Sequence, residues 1–239
     1  QIPGPSSSTD IARWDNKFYQ NYSVPGGLHG VNEWELDPIN LTATLIRHIP
    51  IYNSSGLNHG IGVGMDMKDA NTIIAGAVTF PGQPFNIVEI DISGNIGIST
   101  ILFPITDPVA GDIIYMQDTG WILVTHNVLG TSGIMKLYNH NGIEIDSTPH
   151  SGGLGMYRLP NGDVFASTGR DFHRATFSPL NVVQNLGSSG ISVSGAAYNN
   201  NPQSGCTLPP NITGGNQAKL IGPSENYPSE INECFEREI

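Results

Sequence analysis

Positive charge is scarce in this chain: ten Lys and Arg stand against 21 Asp and Glu in 239 residues, for a formal net charge of −11. The basic residues occur singly, and a surface that tracks phosphates needs them clustered, so nucleic acid is not an expected partner. An anionic membrane surface would repel such a protein, and no apolar run approaches the ~20 residues that span a bilayer. No membrane insertion is expected. Cysteine occurs twice, at Cys206 and Cys234. Paired, the two would close a loop of about 29 residues, worth roughly 3–4 kcal/mol through the entropy of the unfolded chain. Unpaired, they are two small residues; a single pair fixes neither connectivity nor compartment.

The familiar motifs of catalysis are also missing. Gly-x-Ser-x-Gly does not occur, and Gly190-Ile191-Ser192-Val193-Ser194 fails at its last position. Gly60-Ile61-Gly62-Val63-Gly64 lacks the later glycine of a dinucleotide fingerprint and has the look of a strand. No P-loop, His-Glu-x-x-His or Cys-x-x-Cys is present, so no cofactor or zinc site is expected. Asp, Glu, Lys and Arg together make up 13% of the chain, about half the usual share. Exposed helices normally carry those residues, so the shortage argues for β-structure. The first residue is Gln1 rather than Met, which raises the expectation of a leader or initiator ahead of it.

What is abundant is turn chemistry. There are 29 Gly and 17 Pro, and they punctuate short apolar runs. The clearest stretch is 111–150. Gly111-Asp112-Ile113-Ile114-Tyr115-Met116 leads to a turn at Asp118-Thr119-Gly120, and Trp121-Ile122-Leu123-Val124 to a turn around Gly130 and Gly133. Ile134-Met135-Lys136-Leu137-Tyr138 then leads to Asn139-His140-Asn141-Gly142, followed by Ile143-Glu144-Ile145-Asp146. Asn-Gly between apolar runs is a strong hairpin signal, because both residues tolerate the positive φ of a tight turn. Degenerate copies lie on either side. Their third hairpin turns fall near Asp37, Ser93, Asn139 and Ser178, and first strands start near Gly60, Gly111, Gly153 and Gly190. A spacing of roughly 40–55 residues is that of four-stranded propeller blades.

On strand and turn order over residues 18–200, the chain resembles a β-propeller. The resemblance implies an all-β fold of about four four-stranded blades, with the first and last strands closing one blade between them, the last being 191–198. The alternative is a β-sandwich of 14–16 strands, which satisfies the alternation but leaves the repeat unexplained. Three regions follow: an extended N-terminal arm over 1–17, the propeller over 18–200, and a Pro/Gly-rich C-terminal arm over 201–239.

Function is expected to be non-enzymatic: a propeller subunit docked by its terminal arms in a larger assembly. Polar, turn-rich β units with arms look like virion proteins (capsid decoration, tail or fibre parts), which gives virion or extracellular as the location. The expected partners are other copies of the chain or other structural subunits. Trp14, Phe18, Tyr19, Tyr227 and Phe235 are the candidate contacts, aromatic side chains being typical anchors. An extracellular fibre, adhesion or carbohydrate-binding module is the first alternative, with glycans as partners. The Asn-x-Ser/Thr sequons at Asn21, Asn40, Asn53 and Asn211 are about as many as chance supplies in so polar a chain. The second alternative is a lactonase-type enzyme, with His59, His126 and His173 converging with Asp107 or Asp171. Three polar loop residues on a surface rich in them are the plainer reading of that set. Asp66, Asp69 and Asn71 fit a solvated turn better than a calcium loop.

Overall fold

The computed structural model describes residues 10–24, 28–37, 39–40, 42–77, 85–106, 109–126, 133–149, 155–158, 162–167, 169–176 and 180–193. They form sixteen strands in four consecutive antiparallel meanders, or blades. Blade 1 is β1 (Ile11–Trp14), β2 (Lys17–Val24), β3 (Leu28–Asp37) and β4 (Thr42–Asn53). Blade 2 is β5 (Ile61–Asp69), β6 (Thr72–Ala77), β7 (Phe85–Asp91) and β8 (Gly97–Ile105). Blade 3 is β9 (Val109–Met116), β10 (Trp121–His126), β11 (Ile134–Tyr138) and β12 (Glu144–Pro149). Blade 4 is β13 (Gly155–Arg158), β14 (Val164–Ser167), β15 (Gly169–Thr176) and β16 (Asn181–Val193). No helix among the described residues is long and apolar enough to cross a membrane.

The first strands lie side by side in chain order, β5 against β1 and β9, and β13 against β9. Three cores fill the seams between blades. Tyr19, Val31, Ile49 and Ile51 of blade 1 meet Met67, Ile73, Val88 and Ile90 of blade 2. Ile74, Ile87 and Phe103 meet Ile113, Tyr115 and Ile122 at the second seam. Ile114, Leu123 and Leu137 meet Met156, Val164 and Ala175 at the third. A middle blade is therefore buried on both faces, which is why Ile73-Ile74-Ala75 and Ile113-Ile114-Tyr115 read as continuous apolar runs rather than alternating ones. Each buried Ile or Leu contributes about 1.5–3 kcal/mol of transfer free energy. A sandwich would have one core between two sheets. Four blades separated by three cores make this an all-β propeller architecture.

Blades 1 and 2 are joined more closely than the others. The end of β4 pairs in parallel with the start of β8, Ile51 with Gly97, Tyr52 with Ile98 and Asn53 with Ser99. The result is one eight-stranded sheet whose far edges, β1 and β5, touch each other.

Two sequence expectations are corrected. Among the described residues the first and last strands do not share a blade: blade 1 has its own first strand, and residues 191–193 are the end of β16, which pairs with β15, while 194–198 lie outside the described residues. The stretch 1–17 is not an extended arm throughout, because Ile11–Trp14 within it is a strand of the first sheet; residues 1–9 lie outside the described residues. The two-residue turn at Asp15-Asn16 makes this possible. Asp15 takes the positive φ (56°) that such a turn requires and that Asp tolerates better than most residues. Residues 201–239, with Cys206, Cys234, Tyr227 and Phe235, lie outside the described residues.

Candidate functional site

The most buried polar groups of the fold include carboxylates on, or just before, the first strands of blades 1 to 3. There are three of them, and they repeat from blade to blade. Each uses one oxygen on the amide that follows it: Asp10 on Ile11 at 2.8 Å, Asp66 on Met67 at 2.8 Å, Asp112 on Ile113 at 2.7 Å. The other oxygen accepts an N–H from the next blade's first strand. Asp10 takes Met65 at 2.6 Å, Asp66 takes Tyr115 at 2.9 Å, and Asp112 takes Met156 at 2.6 Å. First strands in neighbouring blades cannot pair with one another as ladder strands do, so their inward amides need side-chain acceptors. Aspartate supplies one at each step. Asn21 and Thr125 complete the set by accepting the amides of Asp10 and Asp112. Asp66 is thus neither a calcium ligand nor part of a solvated turn. Asp69 does cap a turn, accepting the Asn71 amide at 2.9 Å.

The histidines are held separately from one another. His59, in the loop entering β5, shares a 2.6 Å hydrogen bond between its Nδ1 and Ser99 Oγ. Burial, with His29 nearby, holds the His59 pKa below its ordinary value, so the ring is neutral at neutral pH. A serine and a histidine at hydrogen-bond distance are the first two members of a nucleophilic site. Here Ser99 is only 3% exposed, inside the β4–β8 pairing, and among the described residues no carboxylate is bonded to His59. The pair ties the loop to β8. Asn58 fastens the same loop to blade 1, accepting the His29 amide and donating to the His29 and Ile51 carbonyls. His29 Nδ1 is buried with no hydrogen-bond partner among the described residues. His126, at the end of β10, bonds through Nε2 to Tyr138 Oη at 3.1 Å, inside blade 3. His173 lies on β15 opposite Ala166 and Asn185. The three histidines of the lactonase alternative thus belong to different blades. Among the described residues no group of three His, Cys, Asp or Glu is arranged to hold a metal ion. Asp107 and the Asp171 side chain lie outside the described residues.

Two candidate contact residues are in the core. Tyr19 is 1% exposed in the first seam, and Trp14 packs against the same cluster from β1. Phe18 is on the other face of blade 1, half-buried, with the Arg13 guanidinium 5.4 Å from its ring centroid. Alternation along β2 made this separation readable: Phe18 and Tyr19 cannot face the same way.

The rim carries a pattern that the sequence reading missed. Nine large hydrophobic residues are exposed among the described residues, and seven lie on outer strands or the turns that enter them: Ile39, Ile46, Ile96, Ile98, Ile101, Ile143 and Ile145. An Ile/Leu-x-Ile/Leu/Val doublet recurs after every third hairpin turn: Ile39-Asn40-Leu41, Ile96-Gly97-Ile98, Ile143-Glu144-Ile145 and Leu180-Asn181-Val182. Its first residue is 89%, 50% and 62% exposed in blades 1 to 3. In blade 4 it is only 4% exposed, packed into the third core while Asp146 accepts its amide. The repeat was legible in the sequence, but only as strand starts with no face assigned.

No family model and no curated protein matches this sequence. Solved structures do. A protein of unknown function from Bacteroides caccae is similar with a TM-score of 0.51 at 16% identity, over 80% of this chain and 66% of that one. This chain therefore spans less than two thirds of that protein's length. A putative oxidoreductase (glucose dehydrogenase) from Thermus thermophilus is similar at a TM-score of 0.46 and 12% identity, covering 82% of this chain and 74% of that one. The Dos1 propeller gives 0.44 and 9%, covering 81% and 73%. The likeness to the Bacteroides protein is one of fold alone.

Proposed function

We propose that this chain is a non-enzymatic propeller scaffold that acts by being bound, joined to other copies of itself or to other structural subunits in a virion or extracellular assembly. The observation that supports this reading is the repeated apolar doublet on the rim. Single exposed isoleucines need no explanation, but apolar residues at the same place in successive blades form a surface that a partner covers. Blade 4 gives the precedent: there the same position is buried once a neighbouring strand lies over it. The outer edge of β12 also has no partner strand among the described residues, and open edges recruit other chains. Low charge and abundant Gly and Pro fit a protein that is laid into a polymer.

The test is the mass of the particle in solution. Sedimentation of the wild type should show concentration-dependent association, and Ile96→Lys/Ile98→Lys/Ile143→Lys/Ile145→Lys should remain monomeric at an unchanged melting temperature. A wild type that stays monomeric throughout, or a hydrolase activity abolished by Ser99→Ala, would overturn the scaffold reading.

A further inference from the structure

The outer strands of the blades are not equally guarded. β8 is covered at Gly97–Ser99 by the end of β4, has Phe103 pressed against Gly142 of the next blade, and carries Pro104, which has no N–H to offer. On β12 the Ser147 amide is already taken by Asp146, and Pro149 again lacks a donor. The side chains of β16 lie outside the described residues.

β4 differs. It pairs with β3 on one side, and on the other its last residues, Ile51–Asn53, meet β8. Among the described residues the edge from Thr42 to Ile46 has no partner strand. Thr42, Ala43 and Thr44 are exposed, Leu45 is half-buried and Ile46 is 47% exposed. The five residues include no charge, proline or glycine, and Thr42, Thr44 and Ile46 are β-branched. Such a segment on an open edge takes up another strand readily.

We propose that this edge is the contact between two copies of the chain: Thr42–Ile46 of one lies antiparallel to Thr42–Ile46 of the other, about a two-fold axis at Thr44. The inference rests on the scaffold reading and names the contact through which copies join.

Three features select a second copy as the occupant. The segment is complementary to itself: the pairing sets Thr42 opposite Ile46, Ala43 opposite Leu45 and Thr44 opposite its own counterpart, a smaller side chain against a larger one at each unequal position. Charge sets the direction. Asp37 is the hairpin partner of Thr42 and flanks one end of the segment, while Arg47 follows Ile46 at the other. Antiparallel copies bring the acidic end of each to the basic end of the other, whereas parallel copies would set like against like. Finally, the open edge continues the side of β4 that β8 already covers, so backbone pairing on that side is established within the chain. Ile96 and Ile98, 50% and 47% exposed at the start of β8, extend the contact as its apolar flank. A two-fold pairing uses the edge of both copies and closes, which makes a dimer the unit of assembly.

Charge placed at the two-fold axis tests this. Thr44→Lys and Thr44→Glu each set like charges about 5 Å apart across the axis. Each alone should weaken association in sedimentation on the order of tenfold, at an unchanged melting temperature because Thr44 is exposed. An equal mixture of the two variants should recover the association, since unlike charges then face each other. In the wild type, hydrogen exchange of the outward amides of residues 42–46 should slow about tenfold as concentration rises through the association midpoint. If the wild type associates, both variants associate equally well and these amides gain no protection, the strand pairing is overturned and the scaffold reading stands. If the mixture fails to recover, the two-fold register is wrong. A wild type that stays monomeric overturns both.

Discussion

Gly142 lies against Phe103 so closely that no side chain fits between them: a methyl group at Gly142 would fall 2.5 Å from both Cβ and Cγ of the ring-bearing residue. This contact sets the third-turn end of blade 3 on the outer strand of blade 2. It also separates two costs that glycine substitutions usually confound.

Gly142 and Gly56 share a positive φ, +78° and +73°, but nothing lies within 4 Å of a methyl at Gly56. Gly56→Ala should therefore lose only the conformational component, about 1 kcal/mol. Gly142→Ala adds overpacking and should lose about 3 kcal/mol or more. Paired denaturant melts decide it; equal losses at the two sites would show that the Phe103 contact relaxes freely.

Glu33 is 1% exposed and answered by Lys17 at 2.6 Å and by the Arg47 guanidinium, which also reaches the Ile92 carbonyl at 2.9 Å in blade 2. Arg47→Met should cost about 3 kcal/mol, because it leaves a buried carboxylate with one half-exposed cation. In a chain of this size that is a fall in melting temperature on the order of 10 °C. Adding Glu33→Gln should recover part of it; if the double variant is no better than the single one, the charge is not what matters.

The bidentate pair of Arg158 with Asp118, at 2.7 and 2.8 Å, looks as strong but is exposed. Asp118→Asn should change stability by less than about 1 kcal/mol, since water and salt screen such pairs. A larger loss in chemical melts would mean that this turn controls blade 4 docking.

Stability should peak in mild acid. Burial alone would raise the Glu33 pKa, but the hydrogen bonds and charges of Lys17 and Arg47 outweigh it and hold the carboxyl below its ordinary 4.5. Asp118 is likewise held low by Arg158. These groups stabilise above their unfolded values and lose that contribution as pH falls through their folded ones. Asp10 and Asp112 act in the opposite sense, so the maximum falls at about pH 4–5 rather than at neutrality. Melting temperatures across the range from about pH 3 to about pH 8 would show it, and a plateau through neutrality would contradict it.

Much of the blade order was legible because turns have chemistry. The third hairpin turns near Asp37, Ser93, Asn139 and Ser178 all separate the third and fourth strands of a blade. β1 escaped notice because Asp15-Asn16 lacks glycine, and because Trp14 in a Pro/Ser-rich lead-in looked like an anchor rather than core. The aspartates were hidden more deeply. A charge inside a strand signals exposure when only one chain segment is in view, and the amides that hold Asp66 and Asp112 belong to strands 49 and 44 residues further on. No local pattern encodes that pairing. The rim isoleucines were visible as residues, but exposure is decided by what lies over them.

The parallel joint between β4 and β8 gives the molecule a grain. Blades 1 and 2 are backbone-bonded to each other through Ile51–Asn53, whereas among the described residues the later blades adhere through side chains and the aspartate bridges. Under load or limited digestion the chain would shed from its C-terminal side, leaving the first two blades as the last piece to yield.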